Sequence, residues 1–123
     1  MAQTAVDTGI RAVLSTYLSA WNEPDPAERA RLLDSSVADD VVFIDPMAHV
    51  EGRDAVAAHI TATRETFPGI LVEAVGDVDA HHGVLRHAWR VSGPDGVVLR
   101  GLDVDEVGED GRLRRILGFF DRA

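Results

Sequence analysis

The chain contains no cysteine, which excludes disulfides, thiolate nucleophiles and cysteine-ligated zinc. Basic residues are scarce: 12 Lys and Arg stand against 21 Asp and Glu, for a formal charge of −9 at pH 7. With no basic stripe to attract phosphate, nucleic acid and anionic membrane surfaces are excluded as expected partners. No run of about 18 apolar residues is present to cross a bilayer. The N-terminal MAQTAVDTG has neither the basic nor the apolar region of a signal peptide. These absences predict a soluble, cytoplasmic protein. No Gly-rich phosphate loop, Walker pattern, nucleophile elbow, HExxH or His-x-His pairing occurs in the sequence, so neither a cofactor nor a metal is expected. What remains is a chain of 123 residues, 46% hydrophobic. That is about what one compact domain needs and too little for two, so residues 1–123 are read as one domain. A neutral, hydrophobic small molecule or a protein partner is the expected ligand class.

Val6, Ile10, Val13, Leu14, Tyr17, Leu18 and Trp21 recur at steps of three and four, which predicts one face of a helix ending near Asn22. Asp25-Pro26-Ala27-Glu28 joins an N-cap candidate to proline at the first helical position, the start of a short second helix. Leu32, Leu33 and Val37 are its expected buried side. Val41 to Ile44 is β-branched and aromatic, hence a strand, and Pro46 ends its regular pairing because proline has no N–H to donate. A third helix is predicted from about Asp54 to Phe67, with Val56, Ile60, Thr63 and Phe67 in one stripe and Pro68-Gly69 as its stop. Strands fill the remainder, at about 70–78, 84–91, 97–107 and 112–121. Turns at His82-Gly83, Gly93-Pro94-Asp95-Gly96 and Glu109-Asp110-Gly111 supply residues that tolerate positive φ. Helices followed by a meander define an α+β domain with helices on one face of a curved sheet.

Strand alternation then isolates candidate functional residues. Period two puts Val41, Phe43 and Asp45 on one face, so an aspartate continues an apolar row. Gly101, Asp103 and Asp105 share a face of a later strand; which face is inside is not readable locally. On the strand before it, Leu85, His87, Trp89 and Val91 share a face, and an imidazole and an indole beside apolar residues predict a cavity wall. His49 and His59 are expected on the rim or surface. His81-His82 falls in a turn, and Arg112, Arg114 and Arg115 read as a solvated or interface strand edge.

The order of these elements, with TYLSAWN, ADDVVFIDP, EGRDAVAAHI and the closing GEDGRLRRILGFFD, resembles the SnoaL-like branch of the nuclear transport factor 2 superfamily over almost the whole chain. The resemblance implies a cone-shaped α+β barrel, a curved and mainly antiparallel sheet wrapped around three helices with a pocket at one end. It also implies a homodimer formed through the sheet. Ketosteroid isomerases of that superfamily use a tyrosine on the first helix, an aspartate closing the first strand before proline, and an aspartate on the third meander strand. Tyr17 in TYLSAWN, Asp45 in FIDP and Asp103 in RGLDV hold the matching positions. The implied roles are proton transfer between carbons by an ionised Asp45, with a protonated Asp103 and the Tyr17 hydroxyl donating to an enolate oxygen. Trp21, Phe43, Trp89 and Phe119 would be the apolar walls that keep Asp103 neutral, with His87 as a further substrate-binding residue.

This chain departs from the isomerases in two respects. Tyr17 is its only tyrosine, so no extended tyrosine network can support the oxyanion site. His87, Trp89 and Arg100 add bulk and polarity, which points to a different or smaller substrate. Polyketide cyclases of the SnoaL-like branch close rings by an aldol step that needs the same base and donors. Simpler roles stand beside these: Asp45 as a turn cap, Asp103 and Asp105 as solvent-facing charges on an exposed strand, Tyr17 and Trp21 as core residues. Two other function classes remain open, a limonene-type epoxide hydrolase using an aspartate–arginine–aspartate set, with Asp121 as one partner, and a non-catalytic binding or dimerisation domain.

Overall fold

The computed structural model describes residues 2–121, with side chains described from Thr8 onward. Val6, assigned above to the buried face of the first helix, has its side chain outside the described residues. The elements run α1 (Ala2–Asn22), α2 (Pro26–Ser36), β1 (Val37–Asp45), β2 (Ala48–Glu51), α3 (Arg53–Thr66), β3 (Leu71–His81), β4 (Val84–Gly93), β5 (Gly96–Val107) and β6 (Leu113–Phe120). The strands form one sheet in the order β2-β1-β6-β5-β4-β3. All pairings are antiparallel except β1 with β6, which is parallel. The sheet is curved and open, with β2 and β3 as its edges, and three helices complete the expected α+β cone.

Local chemistry explains the helix ends. Asp25 caps α2 by accepting from the Ala27 N–H at 3.3 Å, with Pro26 at the first position, where its missing N–H is no loss. The Asn22 side chain closes α1 onto the sheet, accepting from the Val72 N–H at 2.7 Å and donating to the Val72 carbonyl at 2.9 Å. Arg29, a surface-type residue on a short helix, is buried. Its guanidinium ties α2 to the preceding loop and to α3, donating to the carbonyls of Glu23 and Pro24 and to Thr61 Oγ1.

The core sits between helices and sheet. Leu33, Ile60, Leu85, Leu113 and Ile116 are all at 1% exposure or less, and each contributes about 1.5–3 kcal/mol by leaving water. Among the described residues, no helix is long and apolar enough to cross a membrane.

Two strand features differ from the sequence reading. Strand β1 starts at Val37, which was assigned to the second helix, and it folds back through Pro46-Met47 into the short strand β2. Strand β6 is interior, between β1 and β5, so Arg114 and Arg115 are not on an edge; they project from the exposed face toward Glu106. Against β5, Glu106 pairs with Arg115 but Val107 with Leu113, which leaves Arg114 as an extra residue. Such a bulge reverses the in–out phase of everything beyond it. Leu113, Ile116, Gly118 and Phe120 therefore face the helices.

Candidate active site

A cavity of about 420 Å³ opens between the helices and the inner face of the sheet. Its walls are mostly apolar, from Trp21, Phe43, Val72, Trp89 and Phe120, and the polar side chains that reach it are Tyr17, Asp45, His59, Thr63, His87 and Asp103. Met47, Phe67 and Val98 also line it while being 78%, 54% and 62% exposed; they form an apolar rim. This size and balance suit a small, largely hydrophobic ligand held by a few polar atoms.

Asp103 is placed by two glycines. Gly101 lies opposite Trp89 in the β4–β5 ladder, and a Cβ there would lie 2.2 Å from Trp89 Cζ2 and 2.3 Å from the Phe119 carbonyl oxygen. Only glycine lets the indole lie flat across β5. In that position Trp89 Nε1–H donates to Asp103 Oδ1 at 2.8 Å, and Phe120 meets the indole edge to face with centroids 5.8 Å apart. Gly118 lies opposite Asp103 on β6; a Cβ there would stand 3.1 Å from Asp103 Oδ1 and 3.2 Å from Asp45 Cβ. The two aspartates thus flank one glycine-kept gap. Burial, reinforced by the nearby Asp105 charge, pushes the Asp103 carboxyl up to about 7 against the pull of His87 and the Trp89 N–H.

Tyr17 is buried, and its hydroxyl oxygen accepts from Trp21 Nε1–H at 2.9 Å, one helical turn away. That leaves its own proton free to donate. Burial, with Asp103 next in effect, holds this phenol well above its ordinary range, so it stays neutral. Asp45 realises the turn-capping role as well as a cavity position: its Oδ1 accepts from the Met47 N–H at 2.8 Å across the β1–β2 turn. His59 packs between Trp21 and Phe43, with ring centroids 5.9 and 5.1 Å away.

Behind Asp103 lies a second acid. Asp105 has no exposed surface, and His87 Nε2 stands 3.7 Å from Oδ2 of both Asp103 and Asp105. The nitrogen and carboxylate oxygen atoms of the three lie within 4.8 Å of one another, close enough for one cation to bridge. Burial opposes a charged imidazole at His87, but Asp105 and then Asp103 outweigh it and raise its pKa. Burial raises the Asp105 carboxyl too.

Tyr17, Trp21, Phe43, Asp45, His87, Trp89 and Asp103, all singled out from the sequence, come together in this cavity. Phe119 does not: it is 57% exposed, and the bulge at Arg114 gives its place to Phe120. His59, expected on the rim or surface, is part of the wall. His49 is exposed. No arginine lines the cavity among the described residues; Arg86 and Arg90 pair outward with Asp79 and Glu73, and Asp121 is exposed. The aspartate–arginine–aspartate set of an epoxide hydrolase finds no support in this arrangement.

A helix-backed, curved and open sheet with carboxylates at an apolar cavity defines a class of small α+β pocket domains. Within that class the chain belongs to the SnoaL-like domain family, whose model matches residues 14–116. A solved SnoaL-like family protein from Agrobacterium tumefaciens str. C58, provisionally designated an isomerase, is 36% identical, with TM-score 0.87 over 94% of this chain and 99% of that one. A protein from Sinorhizobium meliloti, provisionally designated a polyketide cyclase, superposes with TM-score 0.70 at 18% identity, covering 87% and 93%. One from Methylobium petroleophilum PM1, with a cystatin-like fold, gives TM-score 0.78 at 20% identity over 94% and 78%. The last two show the fold alone. No curated protein matches the chain in sequence.

Proposed function

We propose that the cavity is an active site for proton transfer next to a carbonyl. Asp45 takes a proton from the carbon beside the carbonyl, and the electron pair moves to oxygen. Tyr17 O–H and the protonated Asp103 donate to that oxygen as its charge develops. Return of the proton to another carbon completes an isomerisation; attack of the enolate carbon on a second carbonyl, with the proton passing from Asp45 to the new alkoxide oxygen, completes a ring closure. The observation that carries this reading is the gap at Gly118, flanked by Asp103 Oδ1 on one side and Asp45 Cβ on the other, with both aspartates lining one largely apolar cavity. One of them is pushed up to about 7 by burial while the other is anchored by a backbone N–H. Carboxyl groups set apart by their surroundings can act as acid and base at the same pH. The designation of the Agrobacterium protein as an isomerase agrees with it.

Solvent-deuterium exchange at the α-carbons of a panel of β,γ-unsaturated cyclic ketones, followed by NMR, tests the reading. Wild type should accelerate exchange of at least one ketone, and Asp45→Asn should remove the acceleration while keeping the fold by circular dichroism. Retained exchange in Asp45→Asn would sink the assignment of the base. Absence of exchange across the panel, with tight and Asp103-independent naphthol binding, would favour a binding domain without catalysis.

A further inference from the structure

Among the described residues, four buried side-chain atoms have no hydrogen-bond partner, and three of them stand together: His87 Nε2 and both carboxylate oxygens of Asp105, the fourth being Glu106 Oε2. Native proteins rarely leave such groups unmatched, because each has given up water for nothing. His87 faces Asp103 directly across the β4–β5 ladder, and Asp105 follows two residues on along the same face. Around the imidazole, Nδ1 stands 3.4 Å from the Ala88 carbonyl and Nε2 stands 3.7 Å from two carboxyl oxygens. Both ring nitrogens thus face acceptors. A neutral imidazole has one nitrogen that needs a donor, whereas an imidazolium has two donors to offer.

We propose that His87 is an imidazolium held by Asp105 as its counter-ion, and that this buried pair is what lets Asp103 keep its own proton for the cavity. The proposal rests on the function given above. The other ionisable groups near the pair are Asp103, from the same strand as Asp105, Tyr17 from α1, which feels both Asp103 and Asp105, and Asp45 from β1, which acts on Asp103 and Tyr17. The Leu117 backbone N–H leans Asp105 toward ionisation without closing a hydrogen bond. Arg86 and Arg90, on the same strand as His87, reach outward to Asp79 and Glu73, so His87 is the one basic side chain near Asp105 among the described residues. Asp105 does not line the cavity, whereas His87 and Asp103 do. With Asp105 neutralising His87, the pair carries no net charge and Asp103 is governed by its apolar surroundings. With Asp105 removed, the imidazolium would recruit Asp103 as its only nearby counter-ion, and Asp103 would ionise and stop donating. His87 and Asp105 are therefore positioning residues.

The experiment reads the imidazole itself. In ¹⁵N-labelled full-length protein, long-range ¹H–¹⁵N correlations, assigned with His87→Gln, report the charge of His87 from pH 5 to 9, beside naphthol titrations of the same samples. Both His87 nitrogens should keep imidazolium shifts through pH 7. In Asp105→Asn, naphthol binding at pH 7 should weaken by about fivefold, the fall in the protonated fraction of Asp103 when its acid strength rises by one unit, and Asp105→Glu should restore it. A neutral His87 ring in wild type overturns the proposal without needing any variant to fold. So does Asp105→Asn protein that binds naphthol like wild type. Micromolar Zn²⁺ that moves the His87 resonances at neutral pH would also overturn it, making the trio a cation site. A neutral His87 with Asp103-dependent naphthol binding would defeat only the pair. A charged His87 with no naphthol binding would defeat only the function.

Discussion

Replacing Gly101 with alanine puts a methyl group where the Trp89 ring and the β6 backbone already are. The added carbon would stand 2.2 Å from Cζ2, 2.7 Å from Cε2 and 2.3 Å from the Phe119 carbonyl oxygen. The indole could turn away, but the carbonyl belongs to a paired strand and cannot. Overpacking of this kind costs about 1–3 kcal/mol. If the indole moves, its 2.8 Å hydrogen bond to Asp103 is lost, adding about 1.5–3 kcal/mol when the acceptor is charged and less when it is protonated. With Asp103 protonated, where the hydrogen bond is worth about 0.5–1.5 kcal/mol, the expected total is about 1.5–4.5 kcal/mol, a large part of the stability of any single domain. Urea denaturation followed by tryptophan fluorescence measures it, and Trp89→Phe alongside Gly101→Ala in a double-mutant cycle isolates the indole's share. A coupling of at least about 1 kcal/mol is expected, because a phenyl ring lacks the overlapping Cζ2. A Gly101→Ala midpoint within error of wild type would refute the claim that the ring lies across that glycine.

Gly118→Ala would push a methyl between Asp103 and Asp45, with contacts of 3.1 and 3.2 Å; ketone exchange should fall by at least about tenfold while stability falls by only about 1 kcal/mol, and an unchanged exchange rate would count against that gap as the reacting site. Stability should also depend on pH through Asp103. Its folded pKa is raised from 3.8 to about 7, so the contribution is fully present below about pH 4 and is lost as pH rises through about 7, up to about 4 kcal/mol at 1.36 kcal/mol per unit. The urea midpoint of wild type relative to Asp103→Asn should therefore fall between pH 4 and 8, and a rise would reverse the sign. Trp89→Phe removes an N–H that pulls the Asp103 carboxyl downward, so naphthol binding, measured by fluorescence of Trp21, should persist to higher pH than in wild type.

How much of this was legible in the sequence depended on whether the signal was local. The stripe from Ile10 to Trp21, the Asp25-Pro26 start and the His82-Gly83 turn are short-range patterns. The last of these does adopt positive φ at both residues, 49° and 78°, as a tight hairpin requires. Period two also set Asp45 in line with Phe43 and His87 beside Trp89, because each strand keeps its phase around those residues, whereas the inward turn of Asp103 is fixed by its neighbours and was not readable within its own strand. Phe119, named as a wall by the resemblance, falls outside the cavity because an extra residue at Arg114 shifts the phase of β6, and a bulge in one strand is defined only by its partner. Strand β2 has four residues and takes its identity from pairing with β1, so nothing within AHVE announced it. The burial of Arg29 had no local signal either; its acceptors lie on the preceding loop and on α3, 32 residues away at Thr61.

The tether on Asp45 has a stereochemical consequence. With Oδ1 tied to the Met47 amide, one carboxylate oxygen is left to receive a proton. In the function proposed above, that oxygen would take hydrogen from one face of the bound molecule and give it back to the same face. A ketone labelled at the departing position should keep part of its label in the product, delivered to one prochiral face. In this way a two-residue turn, Pro46-Met47, would decide the handedness of the new C–H bond.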